Sequence, residues 1–349
     1  MRTELFDYEL PEELIAERPP TERDGARLLV LDGGAISHAR VSDVAERVPA
    51  GALVVLNETR VRHARLYARR AGTGGKVELL LLRRLDEEGA GPEVWEALGK
   101  AGSPLREGAR IEADELLLEV TGRREGGLLV LSVLAGGPVE PFLQRKGHVP
   151  IPPYLRREDE EADVARYQTV FADKLGSVAA PTAGLHLTEA ALARMAERGV
   201  RFGRLTLHIG LGTFRPVAVE DLDEHPMHAE HIEVSEQLCA DVSDARARGA
   251  PVVAVGTTVV RALESAAPDD GSGLIRPFSG DTRLLIQPGY RFRVVDSLLT
   301  NFHQPRSTLL ALVCAFAGTS AVLAAYSAAV RERYRFLSYG DAMWLPRRA

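Results

Sequence analysis

The sequence predicts an α/β fold: a mostly parallel-sheet α/β domain carrying an inserted small β-barrel domain. Three observations lead there. The second half alternates apolar strand-like runs with helical segments, the pattern of a largely parallel sheet. Residues 61–155 instead hold closely spaced short strand-like runs with Gly-rich turns and no intervening helices, as in a small barrel or sandwich. The run Ala52-Leu53-Val54-Val55-Leu56 is apolar throughout, as expected of a strand covered on both faces. The α/β domain is thus discontinuous, residues 1–60 and 156–349, around an insertion at 61–155.

In chain order, 11–17 reads as a short helix, and 27–31 and 52–56 as strands. Within the insertion, strand-like runs fall at 77–82, 94–98, 116–120 and 128–134, separated by turns such as Gly72-Thr73-Gly74-Gly75 and Gly126-Gly127. Residues 147–161 are Pro-rich and then charged. Pro150, Pro152 and Pro153 forbid regular structure, so this stretch links back to the main domain. Thr188 caps a helix over 189–198 that Gly199 stops. A strand at 204–209, a helix at 235–248, a strand at 252–255 and a helix at 259–266 follow. Strands at 284–287 and 292–295 and helices beginning at Ser307 and Ser320 complete the set.

The chain has 349 residues, 45% hydrophobic and 26% charged, which is long enough to bury a core without staples. Its two cysteines, Cys239 and Cys314, have no disulfide-framework or zinc-like spacing, which suits a reducing cytoplasm. The N-terminus is not a signal peptide. Residues 308–330 carry no charge and are long enough to cross a bilayer. Gly318-Thr319-Ser320 interrupts them, however, and Leu323, Tyr326 and Val330 make the stripe of a buried helix, so no membrane association is expected. The net charge of −6 means that a nucleic-acid partner needs a local basic face. Residues 60–84 concentrate Arg60, Arg62, Arg65, Arg69, Arg70, Lys76, Arg83 and Arg84 against Glu78 alone. Such a run is either a solvated strand face or a contact for phosphates.

The polar loops gather where strands meet helices, and open α/β sheets bind ligands at the carboxyl ends of their strands. Ala180-Pro181-Thr182-Ala183-Gly184-Leu185-His186 runs toward a helix start, where amides and Thr182 suit a carboxylate or a hydroxyl. In Thr206-Leu207-His208-Ile209-Gly210-Leu211-Gly212-Thr213-Phe214, alternation sets Thr206 and His208 apart from Leu207 and Ile209. Gly210 and Gly212 permit close backbone approach, and Phe214 is placed to stack on a planar base. Gly256-Thr257-Thr258 opens a helix directly after a strand, without a Walker lysine. Asp296, Thr300, Asn301, His303 and Arg306 crowd one pre-helical loop. His225, His228 and His231 invite a metal reading, but a helix would turn the first and third away from each other, and no Cys or Asp cluster joins them.

Taken together these motifs resemble the S-adenosylmethionine:tRNA ribosyltransferase-isomerase family of queuosine biosynthesis. The match runs along essentially the whole chain. It includes Phe6-Asp7-Tyr8-Glu9-Leu10-Pro11, Leu56-Asn57, Thr73-Gly74-Gly75-Lys76-Val77-Glu78 and Arg166-Tyr167-Gln168-Thr169-Val170. It continues through 179–186, His208-Ile209-Gly210, Gly212-Thr213-Phe214, Gly256-Thr257-Thr258, Thr300-Asn301-Phe302-His303 and Ser338-Tyr339-Gly340-Asp341-Ala342-Met343. Glu58 stands where the family usually has Asp, Leu187 where it has Phe, and Gln304 where it has Leu; Leu211 is bulkier than expected.

The resemblance implies an α/β domain with an inserted β-barrel, and a reaction. The ribosyl group of S-adenosylmethionine is transferred and isomerised onto 7-aminomethyl-7-deazaguanine at the wobble position of tRNAs with GUN anticodons. Adenine and methionine leave and epoxyqueuosine remains. S-adenosylmethionine is then a consumed cosubstrate, no cofactor or metal is expected, and a cytoplasmic monomer is the expected form. The sulfonium acidifies the adjacent 5′ C–H, a base removes that proton, and the aminomethyl nitrogen must be neutral to attack. Histidines suit these steps. The expected catalytic residues are His186, His208 and His303, with Asp296 orienting one of them. Thr182, Gly184, Gly210, Gly212, Thr213, Phe214, Gly256, Thr257, Thr258 and Asn301 are expected around the cosubstrate. Arg60, Arg65, Arg69, Arg70 and Lys76 are expected against tRNA. A methyltransferase would need a glycine-rich loop after an early strand, with an acid after the next, and neither is found. A non-catalytic tRNA-binding protein leaves the His, Asp and Asn of the strand-end loops without a reason, and a metal hydrolase rests on His225, His228 and His231 alone.

Overall fold

The computed structural model describes residues 1–86, 91–210 and 217–346. Strands β1 (Arg27–Asp32) and β2 (Ala35–Arg40) pair as a hairpin, before helix α1 (Val44–Arg47) and β3 (Leu53–Asn57). β4 (Thr59–Val61) leads into β5 (Arg65–Arg70), β6 (Lys76–Arg84), β7 (Val94–Ala101), β8 (Arg110–Ala113), β9 (Leu116–Arg123), β10 (Leu129–Ala135) and α2 (Val139–Lys146). The chain returns through α3 (Glu161–Arg166), β11 (Lys174–Ser177), α4 (Glu189–Glu197), β12 (Arg201–Leu207) and β13 (Glu230–Val234). Next come α5 (Glu236–Ala247), β14 (Val252–Val255), α6 (Thr257–Ala266) and β15 (Phe278–Thr282). It ends with β16 (Ser297–Asn301), α7 (Thr308–Ala317), α8 (Thr319–Arg331) and β17 (Ala342–Pro346).

The α/β fold with a barrel is as the sequence predicts. β5 to β10 close an antiparallel barrel whose interior holds Leu66, Leu79, Trp95, Ile111, Leu118 and Leu131. The large sheet has nine strands in the order β15-β13-β12-β3-β14-β16-β17-β1-β2. Its centre, β12-β3-β14-β16, is parallel, and the antiparallel pairs lie toward its flanks. The central strands are buried on both faces: Leu53 and Val55 point into one core, Val54 and Leu56 into the other. This is why 52–56 reads as an unbroken apolar run.

Some elements differ from the sequence reading. Residues 11–17 form only a 3₁₀ turn over Glu12–Leu14. Residues 284–287 and 292–295 are not strands. Ile286, Phe292, Val294 and Val295 are buried because that loop is clasped from below: the Glu264 carboxylate accepts the amides of Arg293, Val294 and Val295. The strand comes next, in the segment that reads as a polar pre-helical loop, since β16 is buried along its whole length and carries Thr300 and Asn301 at its carboxyl end. β2, β13, β15 and β17 carry too little alternation to stand out in the sequence. α7 and α8 meet at 114° across Gly318 (φ +88°), and no single helix among the described residues is long and apolar enough to cross a membrane.

Candidate functional site

A cleft open to solvent lies at the carboxyl ends of β14 and β16. The two strands are neighbours in the parallel centre of the sheet, so the segments that leave them, Gly256-Thr257-Thr258 and Thr300-Asn301-Phe302-His303, line the cleft side by side. Gly256 has φ +94°, a region that L side chains rarely adopt, and turns the chain directly into α6. A Cβ there would lie 3.6 Å from both Ala183 Cβ and Thr258 Oγ1, an ordinary contact, so it is the backbone conformation that calls for glycine. That turn is a five-residue 3₁₀ element, and its Thr182 and Ala183 line the cleft. Gly184 is buried behind them, where a Cβ would meet Phe171 at 2.8 Å and Thr169 at 2.9 Å.

The three candidate histidines have three different environments. His303 lines the cleft, 8% exposed, with Nε2 2.9 Å from Thr300 Oγ1. Its backbone is fixed on both sides: its N–H donates to Tyr326 Oη and its carbonyl accepts from Tyr8 Oη. His303 is buried, and burial pushes its pKa down to about 3. His186 lies behind the wall, where Asn301 Nδ2 donates to both His186 Nε2 (3.1 Å) and the Leu337 carbonyl (3.0 Å). The carbonyl can only accept, which fixes the amide. His186 is therefore neutral with its proton on Nδ1. Burial, assisted by Arg23, lowers its pKa to about 4. His208 follows β12, with Nδ1 2.8 Å from Thr59 Oγ1 and its ring against Gly176. Burial lowers its pKa as well, but it is Ile209, not His208, that lines the cleft.

Asp296 requires a correction. It precedes the amino end of β16, whereas Asn301 sits at the carboxyl end. Its Oδ2 accepts from Arg246 Nη1 (2.6 Å) and the Val252 amide (2.8 Å), tying α5 to the start of β14. A strand separates it from the histidines, so it orients none of them. Gly210 follows Ile209 at the edge of the cleft, its amide 3.3 Å from Glu230 Oε1. The other oxygen of Glu230 bonds Arg261 Nη1, an ion pair in which both residues are about 5% exposed or less. Gly212, Thr213, Phe214 and Leu211 lie outside the described residues.

Two atoms in the cleft wall, Asn301 Oδ1 and Thr258 Oγ1, are buried and have no hydrogen-bond partner among the described residues. The sequence reading missed another part of the lining, Tyr154, Leu337 and Ser338. Tyr154 Oη and Ser338 Oγ are 2.5 Å apart, and Leu337 adopts φ +70°. Tyr154 hides in the Pro-rich link, which carries no chemical signal, and Ser338 stands out only in the family pattern. No cluster of three or more His, Cys, Asp or Glu suited to a metal occurs among the described residues. His231 lies on β13, with Nδ1 3.4 Å from Asp281.

The family model described as queuosine biosynthesis protein matches residues 3–345. The chain belongs to that family. The S-adenosylmethionine:tRNA ribosyltransferase-isomerase of Sorangium cellulosum is 54% identical, with 98% of each chain covered. That of Anaeromyxobacter dehalogenans (strain 2CP-C) is 52% identical over the whole of both chains. The crystal structure of S-adenosylmethionine tRNA ribosyltransferase from Thermotoga maritima is 34% identical with a TM-score of 0.55, covering 98% of this chain and 99% of that one. Of the positions expected to depart from the family pattern, Gln304 lines the cleft and Leu187 is buried in the core. Glu58 sits 3.7 Å from Arg204.

The basic segment divides. Arg65 is drawn against the barrel by Glu78 (3.2 Å) and the Ile151 carbonyl (3.0 Å), its side chain only 12% exposed. Arg70 donates to the carbonyls of Ser103 and Pro104, bracing the barrel. Arg60, Arg69 and Lys76 are exposed, and Arg69 and Lys76 are cross-strand neighbours on β5 and β6.

Proposed function

We propose that the protein transfers and isomerises the ribosyl group of S-adenosylmethionine onto 7-aminomethyl-7-deazaguanine at the wobble position of tRNAs with GUN anticodons. The products are epoxyqueuosine, adenine and methionine, in queuosine biosynthesis. The observation that carries this reading is the cleft: in a chain matched to the queuosine family over residues 3–345, the polar strand-end motifs converge on one pocket. S-adenosylmethionine is the consumed cosubstrate; the reaction uses no cofactor or metal, and the protein works in the cytoplasm as a monomer.

His303 is the proton acceptor closest to the chemistry. A neutral imidazole in a cleft can take the 5′ proton that the sulfonium acidifies, and the lowered pKa keeps His303 neutral at neutral pH. His186 acts through Asn301, and His208 acts from beyond Ile209 on the side of Thr59. Thr182, Gly256, Thr257, Thr258 and Asn301 hold the cosubstrate, with Gly184 and Gly210 shaping the backbone around it. Gly212, Thr213 and Phe214 complete this set. Arg60, Arg69 and Lys76 meet the tRNA backbone.

Incubation with labelled S-adenosylmethionine and tRNA carrying the aminomethyl base tests the reading. Release of adenine and methionine with label retained on tRNA is expected. S-adenosylhomocysteine would instead establish a methyltransferase. Turnover abolished by a chelator and restored by zinc would overturn the metal-free mechanism.

A further inference from the structure

The α6 start and the Asn301 side chain present opposite hydrogen-bonding characters to one cleft. On the α6 side every group can donate. α6 has 10 residues, so its first-turn amides lack intrahelical partners and carry the positive end of the helix dipole. Thr258 lies in that first turn, 7% exposed, with its hydroxyl buried and unpartnered among the described residues. On the β16 side the free atom can only accept. Both bonds of Asn301 Nδ2 are made within the protein, to His186 and to the Leu337 carbonyl, which leaves Oδ1 buried and unpartnered among the described residues in a residue 2% exposed. Burying such groups without partners is costly, so each marks a place where a bound molecule completes the hydrogen bonding.

Donors on one wall and an acceptor on the next complement a zwitterion. We propose that the α6 start with Thr258 binds the carboxylate, and Asn301 Oδ1 the ammonium, of an α-amino acid: the methionyl end of S-adenosylmethionine, and the methionine that leaves. This rests on the function proposed above and adds the orientation of the cosubstrate. The competing 182–186 turn has five residues and Pro181 before it, and offers no comparable row of amides. His186 is then a positioning residue. Accepting from Nδ2, it fixes which end of the Asn301 amide is left without a partner among the described residues.

The test is inhibition of adenine release by three probes: L-methionine, 3-(methylthio)propylamine, which lacks the carboxylate, and 4-(methylthio)butanoate, which lacks the ammonium. L-Methionine should compete with S-adenosylmethionine, and each partial analogue should bind at least tenfold more weakly. Thr258→Val should raise the methionine inhibition constant about tenfold and leave that of the amine unchanged, whereas Thr258→Ser should restore it. If methionine does not compete, or if Thr258→Val weakens methionine and the amine equally, the subsite is wrong. Adenine release would stand in either case. An enzyme that releases no adenine refutes the proposed function itself.

Discussion

At the scale of the residue, burial sets the protonation of the site histidines, and this makes stability depend on pH. His186 and His303 have pKa values of about 4 and about 3 in the fold, against 6.5 for a free imidazole. As pH falls below about 6.5 the unfolded chain takes up these protons first, so the fold loses stability down to the folded pKa values. Each group contributes a slope of about 1.4 kcal/mol per pH unit within its window. Thermal unfolding between pH 7 and pH 4 should therefore show a smaller pH slope for His303→Gln than for the parent; an identical slope would mean that the site is open to water. For turnover, His303→Ala should lose roughly a hundredfold, the usual scale for a general acid or base, and near-normal adenine release would remove it from the mechanism. The Glu230–Arg261 pair bears on stability in another way. Glu230→Ala strands a guanidinium that is 5% exposed, so unfolding should become easier by about 3–5 kcal/mol, measured by denaturant titration.

At the scale of the element, helix starts serve two purposes that mutation can separate. Ser235 caps α5 by accepting the Leu238 amide, and no residue of that helix lines the cleft. Ser235→Ala should cost about 1 kcal/mol of stability with kcat and KM unchanged. Gly256 begins α6 from a left-handed backbone that no side chain joins without strain. Gly256→Ala should cost on the order of 1–3 kcal/mol. It should also raise the KM for S-adenosylmethionine, since relief of that backbone strain shifts the start of α6. A variant with unchanged KM would show that the α6 start does not hold the cosubstrate. These elements also show how sequence patterns mislead. Residues 292–295 are as apolar as a strand because they are buried beneath Glu264, whereas β16 ends in polar residues because it delivers them to the cleft.

At the scale of the whole molecule, an acidic protein has to offer tRNA a local basic face. The barrel retains Arg65 and Arg70 for its own ion pair and carbonyl contacts, which leaves Arg60, Arg69 and Lys76 toward solvent. Neutralising these three should weaken tRNA binding and reduce the salt slope by roughly two units of log–log slope, at about 0.7 per phosphate contact on an unpaired strand. Binding measured across a salt series checks this, and an unchanged slope places tRNA on another face. The affinity for methionine should stay as it was, because none of the three residues lines the cleft.

The sequence by itself determined the α/β class, the inserted barrel, the helix capped by Thr188, the helices that begin near Ser235 and Ser307, and the strand-end motifs that supply the cleft. These follow from local periodicity and caps, which neighbouring residues encode directly. The residue types needed for the chemistry were legible too, but not their arrangement. Asp296 and His303 are seven positions apart in one polar stretch, yet a strand carries one to each end of the sheet. Only the tertiary structure decided that Asp296 serves Arg246, that His186 stands behind Asn301, and that Tyr154 and Ser338 join the cleft lining. The physical reason is that strand direction and sheet order set which loop ends meet, and both are fixed by long-range packing that no local pattern records.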